Sequence, residues 1–253
     1  MTIMPDTLSF LDAALLVGVS FFTSFLSASM GIGGGVALLA VMAQVMPALA
    51  IVPVHGVVQL GSNAGRAYLM REAIVWRIVL YFLMGSLIGG LIGGQIVVAL
   101  PAATLQLVLG LFVLYSLWGP MPKPSADHKS MAFVGSSGAL STLLTMFVGA
   151  TGPFVAVVVK MFSLSRLAHV GTFSACMVGQ HTVKIVVFGV LGFAFGAYLP
   201  LMVAMVATGF LGTWVGRHFL VKSTDERFGR WLNIILTLLA ARLLWQGAQG
   251  FFA

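Results

Sequence analysis

Two basic residues, Arg66 and Lys184, stand inside long apolar stretches of this chain, and any chemistry must start from them. A lysine at the centre of an apolar helix in lipid costs about 2.5–3.5 kcal/mol on insertion scales. Such charges are kept where they face a polar interior, and they mark ligand paths. A buried ammonium or guanidinium attracts anions. Gln180 and His181 flank Lys184, and Ser62 and Asn63 flank Arg66. These side chains supply the hydrogen-bond donors that an oxyanion accepts. His181, one turn before Lys184, and His55, two residues after Pro53, are candidate proton carriers. Each reading has a plainer rival. A long basic side chain snorkels to the membrane surface, and this rival is stronger for Arg66, which stands nearer Arg71. Polar side chains also bridge helices in lipid, and a buried histidine often does no more than hold a hydrogen bond. Arg242, close to the C-terminus, fits a surface anchor.

The elements that position these residues follow from composition. Hydrophobic residues make up 60% of the 253-residue chain and charged residues only 8%, against roughly 25% charged in soluble domains. Lipid is the matching solvent, and there the backbone must satisfy its own hydrogen bonds. The apolar runs are long and do not alternate, so helices are expected and a barrel is not. Ten segments are legible, near 8–29, 34–46, 51–70, 75–99, 103–119, 131–147, 152–163, 169–195, 198–220 and 228–251. Eight approach the roughly 20 residues that a span needs; 34–46 and 152–163 are too short. Both short segments follow a break rich in small residues, Gly31-Ile32-Gly33-Gly34-Gly35 and Gly149-Ala150-Thr151-Gly152-Pro153. Such breaks are tolerated at membrane depth only where protein or a wet cavity covers the bared backbone. The helix starts at Gly33, Gly34 and Gly152 would aim N–H groups at an anion, with the Thr151 hydroxyl beside them; close helix packing is the rival explanation.

Ten of the thirteen Lys and Arg residues fall around 71–77, 123–129, 160–166 and 217–230. The connections near 48, 100, 150 and 197 have none. This alternation places the basic connections in the cytoplasm and both termini outside. Residues 1–7 lack the basic region of a cleaved signal peptide, so the first helix is expected to stay in the mature protein. Adding 118 to a residue number carries Gly31 to Gly149, Gly34 to Gly152, Ala50 to Ala168, Gly61 to Gly179, Asn63 to His181 and Arg66 to Lys184. Adding 123 carries Gly89 and Gly93 to Gly212 and Gly216. The expected organisation is a transmembrane repeat over 1–119, a cytoplasmic linker over 120–130 and a second transmembrane repeat over 131–253. Each repeat has an odd number of segments, so the second is inverted. Inverted repeats with interrupted helices are a transporter architecture, with substrate held near the midplane.

These residues resemble the TauE/SafE family of membrane anion exporters. The resemblance rests on Gly31-Ile32-Gly33-Gly34-Gly35 after a first helix, the short segment ending at Pro47, and Ala50. It continues through the segment closing at Arg66, Arg71 to Trp76, and the ladder Gly85, Gly89, Gly93 with Pro101. The second-half equivalent lies around His169-Val170-Gly171-Thr172. It covers nearly the whole chain, and it implies export of sulfite, sulfonates such as sulfoacetate, and related organosulfur anions. The second break departs from the pattern, since Gly149 to Pro153 has no triple glycine.

The expectation is an all-α integral membrane protein in a bacterial inner membrane, with a small organic or inorganic anion and the lipid bilayer as partners. A passive anion pore and a membrane subunit of a larger complex remain alternatives, and pairing of two copies stays open. An enzyme is not expected, because no paired carboxylates stand within the apolar segments. No cofactor is expected, and no nucleotide motif is present. The net charge of +7 is read as cytoplasmic loops and not as a nucleic-acid surface.

Overall fold

A computed structural model of the chain describes residues 8–30, 33–97, 101–120, 130–219 and 226–252. Gly31, Ile32 and most of the expected linker lie outside these residues. The described chain is helical, with no strand. Among the described residues ten α-helices follow one another: α1 (Phe10–Met30), α2 (Gly34–Val45), α3 (Ala48–Leu69), α4 (Trp76–Val97), α5 (Ala102–Trp118), α6 (Met131–Val148), α7 (Gly152–Lys160), α8 (Arg166–Val190), α9 (Leu199–Gly216) and α10 (Glu226–Phe252).

Local chemistry sets the ends. Ser9 and Asp12 form a reciprocal capping box at the start of α1, each side chain accepting from the other's backbone N–H. Ser130 caps α6 by accepting from the Phe133 N–H, and Ser165 caps α8 through Ala168. Pro47 and Pro101 stand just before α3 and α5, where a missing N–H costs nothing. Gly149 closes α6 at φ 75°, a left-handed conformation that glycine adopts freely.

Large apolar side chains cover the outside of the described helices, while many polar ones are buried within. Leu80, Met84, Leu87, Ile88 and Leu91 of α4 face outward, as do Val203, Phe210 and Trp214 near α9. Ser20, Thr23, Ser24 and Ser27 of α1 are buried, as are Ser137, Ser141, Thr142 and Thr145 of α6. That arrangement is the signature of lipid as solvent. Among the described residues, five helices have the length and apolarity to cross a membrane: α1, α4, α6, α8, and α9 with its preceding turn. The other three segments expected to span are α3, α5 and α10. At 22 residues α3 is about 33 Å long, enough for a bilayer core. It falls short in apolarity because its buried face carries the polar residues His55, Gln59, Ser62, Asn63 and Arg66. At 17 residues, α5 is about 26 Å long.

Glycines bring the most extensive helix pairs together. α4 lies on α6, where a Cβ at Gly85 or Gly89 would strike the backbone carbonyls of Gly135 or Ala139. α9 lies on α1, where Gly212 and Gly216 meet the carbonyls of Phe21 and Phe25 in the same way. The glycine ladders are therefore packing faces. α3 packs on α8 and α9, α4 on α8, and α5 on α10. The short α2 folds back along α1, with Gly34 pressed against Thr23 and Ser27.

Candidate functional site

On α3, His55, Gln59, Asn63 and Arg66 recur every three or four residues, so they share one helical face. On α8, Phe173, Met177 and His181 do the same. Because α3 packs on α8, these two faces meet, and a small cavity lies between them. Its volume is about 30 Å³. The breaks complete its wall: Gly33, Gly35 and Val36 at the start of α2, and Ala150, Gly152 and Pro153 at the start of α7. Ser27 of α1 adds a hydroxyl.

Arg66 is the cation in this wall, and at 2% exposure it does not snorkel. Its guanidinium is held at three points. Nη1 donates to Ser62 Oγ at 3.0 Å and Nη2 to Asn63 Oδ1 at 2.8 Å. Nε donates to Ser174 Oγ of α8 at 3.3 Å. These partners are themselves fixed: Ser62 Oγ donates to Ser24 Oγ of α1, and Asn63 Nδ2 donates to the Gln59 carbonyl. A guanidinium has five N–H donors, so two are left over from the three bonds described. The two acidic side chains described lie elsewhere: Asp12 bonds to Ser9, and Glu72 pairs with Arg71 at the surface. No ion pair involves Arg66 or Lys184 among the described residues.

Lys184 is fully buried but does not line the cavity. Its Nζ donates to the Gly149 carbonyl at 2.9 Å, at the end of α6 and next to the cavity residue Ala150. Gly56 of α3 lies flat against the Lys184 stem, where a Cβ would come within 2.8 Å of Cε. Gln180 also sits beside the cavity: Nε2 donates to Thr151 Oγ1 at 2.7 Å, and Oε1 accepts from Ser141 at 3.0 Å. Thr151 is thereby engaged with α6 and α8 and does not cap α7. Gly33, the N-cap residue of α2, has φ 104° and offers no side chain either. Both short helices thus begin uncapped at the cavity, with the positive end of their dipoles there.

A family model for the sulfite exporter TauE/SafE matches residues 16–243, nine-tenths of the chain. The chain belongs to this family. No curated protein and no solved structure was found to match it.

In this TauE/SafE protein the expected residues therefore divide. Arg66, Asn63, His55, His181, Gly33 and Gly152 line the cavity; Lys184, Gln180, Ser62, Thr151 and Gly34 stand around it. Arg242 is exposed, as befits an anchor. Sequence reasoning missed Ser27, Gln59 and Ser174. One signal was available: the offset of 118 carries Thr23, Ser24 and Ser27 onto Ser141, Thr142 and Thr145, a buried hydroxyl row in both α1 and α6. The TauE/SafE protein is a multi-pass membrane protein of a transporter family, not an enzyme family.

Proposed function

We propose that the chain is a secondary transporter that exports a small organosulfur oxyanion, sulfite or a sulfonate such as sulfoacetate, across a bacterial inner membrane. The observation that carries this reading is Arg66: a buried guanidinium in a cavity wall, with two N–H donors to spare and no carboxylate among the described residues to balance it. An uncompensated buried charge is costly. A bound oxyanion offsets that cost and accepts the spare donors in the paired geometry that guanidinium favours. The uncapped starts of α2 and α7 add positive potential from opposite halves. Lys184 adds charge from behind the Gly149 carbonyl and holds the second break in place.

The site sits between two inverted repeats, 1–119 and 131–253, joined by a cytoplasmic linker over 120–130. The helix pairings support this division. Exchanging α1–α5 for α6–α10 turns the α1–α9 pair into α6–α4 and the α3–α9 pair into α8–α4, and both counterparts exist. The α3–α8 and α5–α10 pairs map onto themselves. With the basic connections in the cytoplasm, both termini face the periplasm.

A flux panel in proteoliposomes tests the reading, with sulfite, sulfoacetate, sulfolactate, sulfate and chloride as probes. Saturable movement of sulfite or a sulfonate, with chloride excluded, is the expected result. Equal, unsaturable passage of all five would replace the carrier by a pore.

A further inference from the structure

We infer that His55 and His181 form a proton-carrying pair that couples anion movement to proton movement in the same direction. The inference rests on the transport reading above and adds the coupling ion to it, with export running down the anion's own outward gradient. The two rings come from different halves, α3 and α8, and line the same cavity as Arg66. Their centroids are 6.2 Å apart in an edge-to-face arrangement, and both side chains are buried. His55 Nε2 lies 2.9 Å from the Gly35 carbonyl. A carbonyl only accepts, so the His55 proton is on Nε2, and the Gly149 carbonyl also acts on this ring. Nδ1 of His55 and Nδ1 of His181 both lack a hydrogen-bond partner in the protein. The pair is thus a buried place beside the cavity where a proton can be taken up.

The charges around the pair make that uptake conditional. On α8, Lys184 acts electrostatically on both rings, and Arg66 of α3 acts on His181. Cys176, also on α8, belongs to the apolar cluster against α4 and α7. α1 presents Ser27, α2 the Gly35 carbonyl, and the α6–α7 break the Ala150 and Gly152 backbone, none of which titrates. No described carboxylate faces the cavity. A proton on either ring is therefore a further positive charge beside two cations, and it is tolerated only while an anion shares the space. An anion is likewise held best when that proton is present. Loaded and empty forms differ by anion plus proton, so the two cross together.

The experiment uses the full chain in vesicles with the membrane potential clamped by potassium and valinomycin. Labelled sulfite and labelled sulfoacetate are the probes, and protein-free vesicles set the baseline. With the outside one pH unit more acidic, the wild type is expected to accumulate anion several-fold above equilibrium. It is also expected to exchange labelled for unlabelled anion at equal pH. His55→Gln is expected to keep exchange within about tenfold of wild type and to lose acid-driven accumulation, and His181→Gln, which also removes an anion-facing donor, is expected to lose accumulation. Exchange needs no net proton transfer, so it reports folding and binding separately from coupling. Variants that accumulate like wild type, or a His55→Gln that loses exchange as well, overturn the inference. A wild type that exchanges but never accumulates overturns the coupling and leaves the transport reading standing. A wild type that does neither overturns both.

Discussion

Arg66→Met removes the cavity's guanidinium while keeping an unbranched side chain of similar length. In the proposed complex two charge-assisted hydrogen bonds to the anion disappear. At roughly 1.5–3 kcal/mol each, their joint loss is roughly 3–6 kcal/mol. With about 1.4 kcal/mol per tenfold, affinity should fall by roughly a hundredfold to ten-thousandfold. Ligand-induced thermal stabilisation in detergent measures this without transport. Wild type at a hundred times its dissociation constant gains about 2.7 kcal/mol of stability. A variant weakened a hundredfold gains about 0.4 kcal/mol at the same concentration. Anion-free stability gives the second readout. The substitution removes three protein hydrogen bonds but also an unpaired buried cation, and removing such a charge relieves its desolvation. The anion-free variant should therefore be no less stable than wild type, which a purely structural arginine would not allow. Arg66→Lys keeps the charge, but its three donors are all needed by Ser62, Asn63 and Ser174, so its ligand shift should fall between the two. A full wild-type shift in Arg66→Met, with sulfite or sulfoacetate, would refute the site.

Lys184→Met leaves the Gly149 carbonyl without its donor and should reduce transport to background while the protein still inserts; Lys184→Arg should retain part, and a wild-type rate in Lys184→Met would make Lys184 a bystander. Arg242→Met, at an exposed anchor, should change flux less than twofold. Gly89→Val should abolish the folded peak on size-exclusion in detergent, because its side chain enters the Ala139 backbone, whereas Gly18→Ala, with open space around it, should behave as wild type. Thiol labelling of cysteines placed at Ile3, Ser125 and Phe252 should find the first and last accessible from the periplasm and the middle one from the cytoplasm; the native Cys176 is buried and should add little background.

Much of the architecture was legible from composition and punctuation alone. Lipid forces the backbone to satisfy itself, so apolar runs became helices, and all ten segments correspond to α1–α10. The breaks fell where expected: Gly149, at positive φ, closes α6, and Gly33, also at positive φ, stands just before α2, and the two short segments are helices of 12 and 9 residues. The buried placement of Asn63, His55 and His181 also followed, since polar groups inside apolar segments must find a polar interior, whereas for Arg66, nearer the surface in sequence, snorkelling is the better reading from sequence alone.

What the sequence could not rank was the two cations. Lys184 is the deeper in its segment, and its depth marked it as the prime contact. Distance along one helix, however, does not say which neighbour its side chain meets. Only the packing of α8 on the α6–α7 break gave the Lys184 ammonium to the Gly149 carbonyl. Only the packing of α3 on α8 brought Ser174 to Arg66 and set Arg66 in the cavity wall. Likewise His55 and His181, 126 residues apart in the chain, became neighbours at 6.2 Å because their helices cross. Helical periodicity assigns a residue to a face, but which faces meet is decided by how closely the glycine ladders let the helices approach.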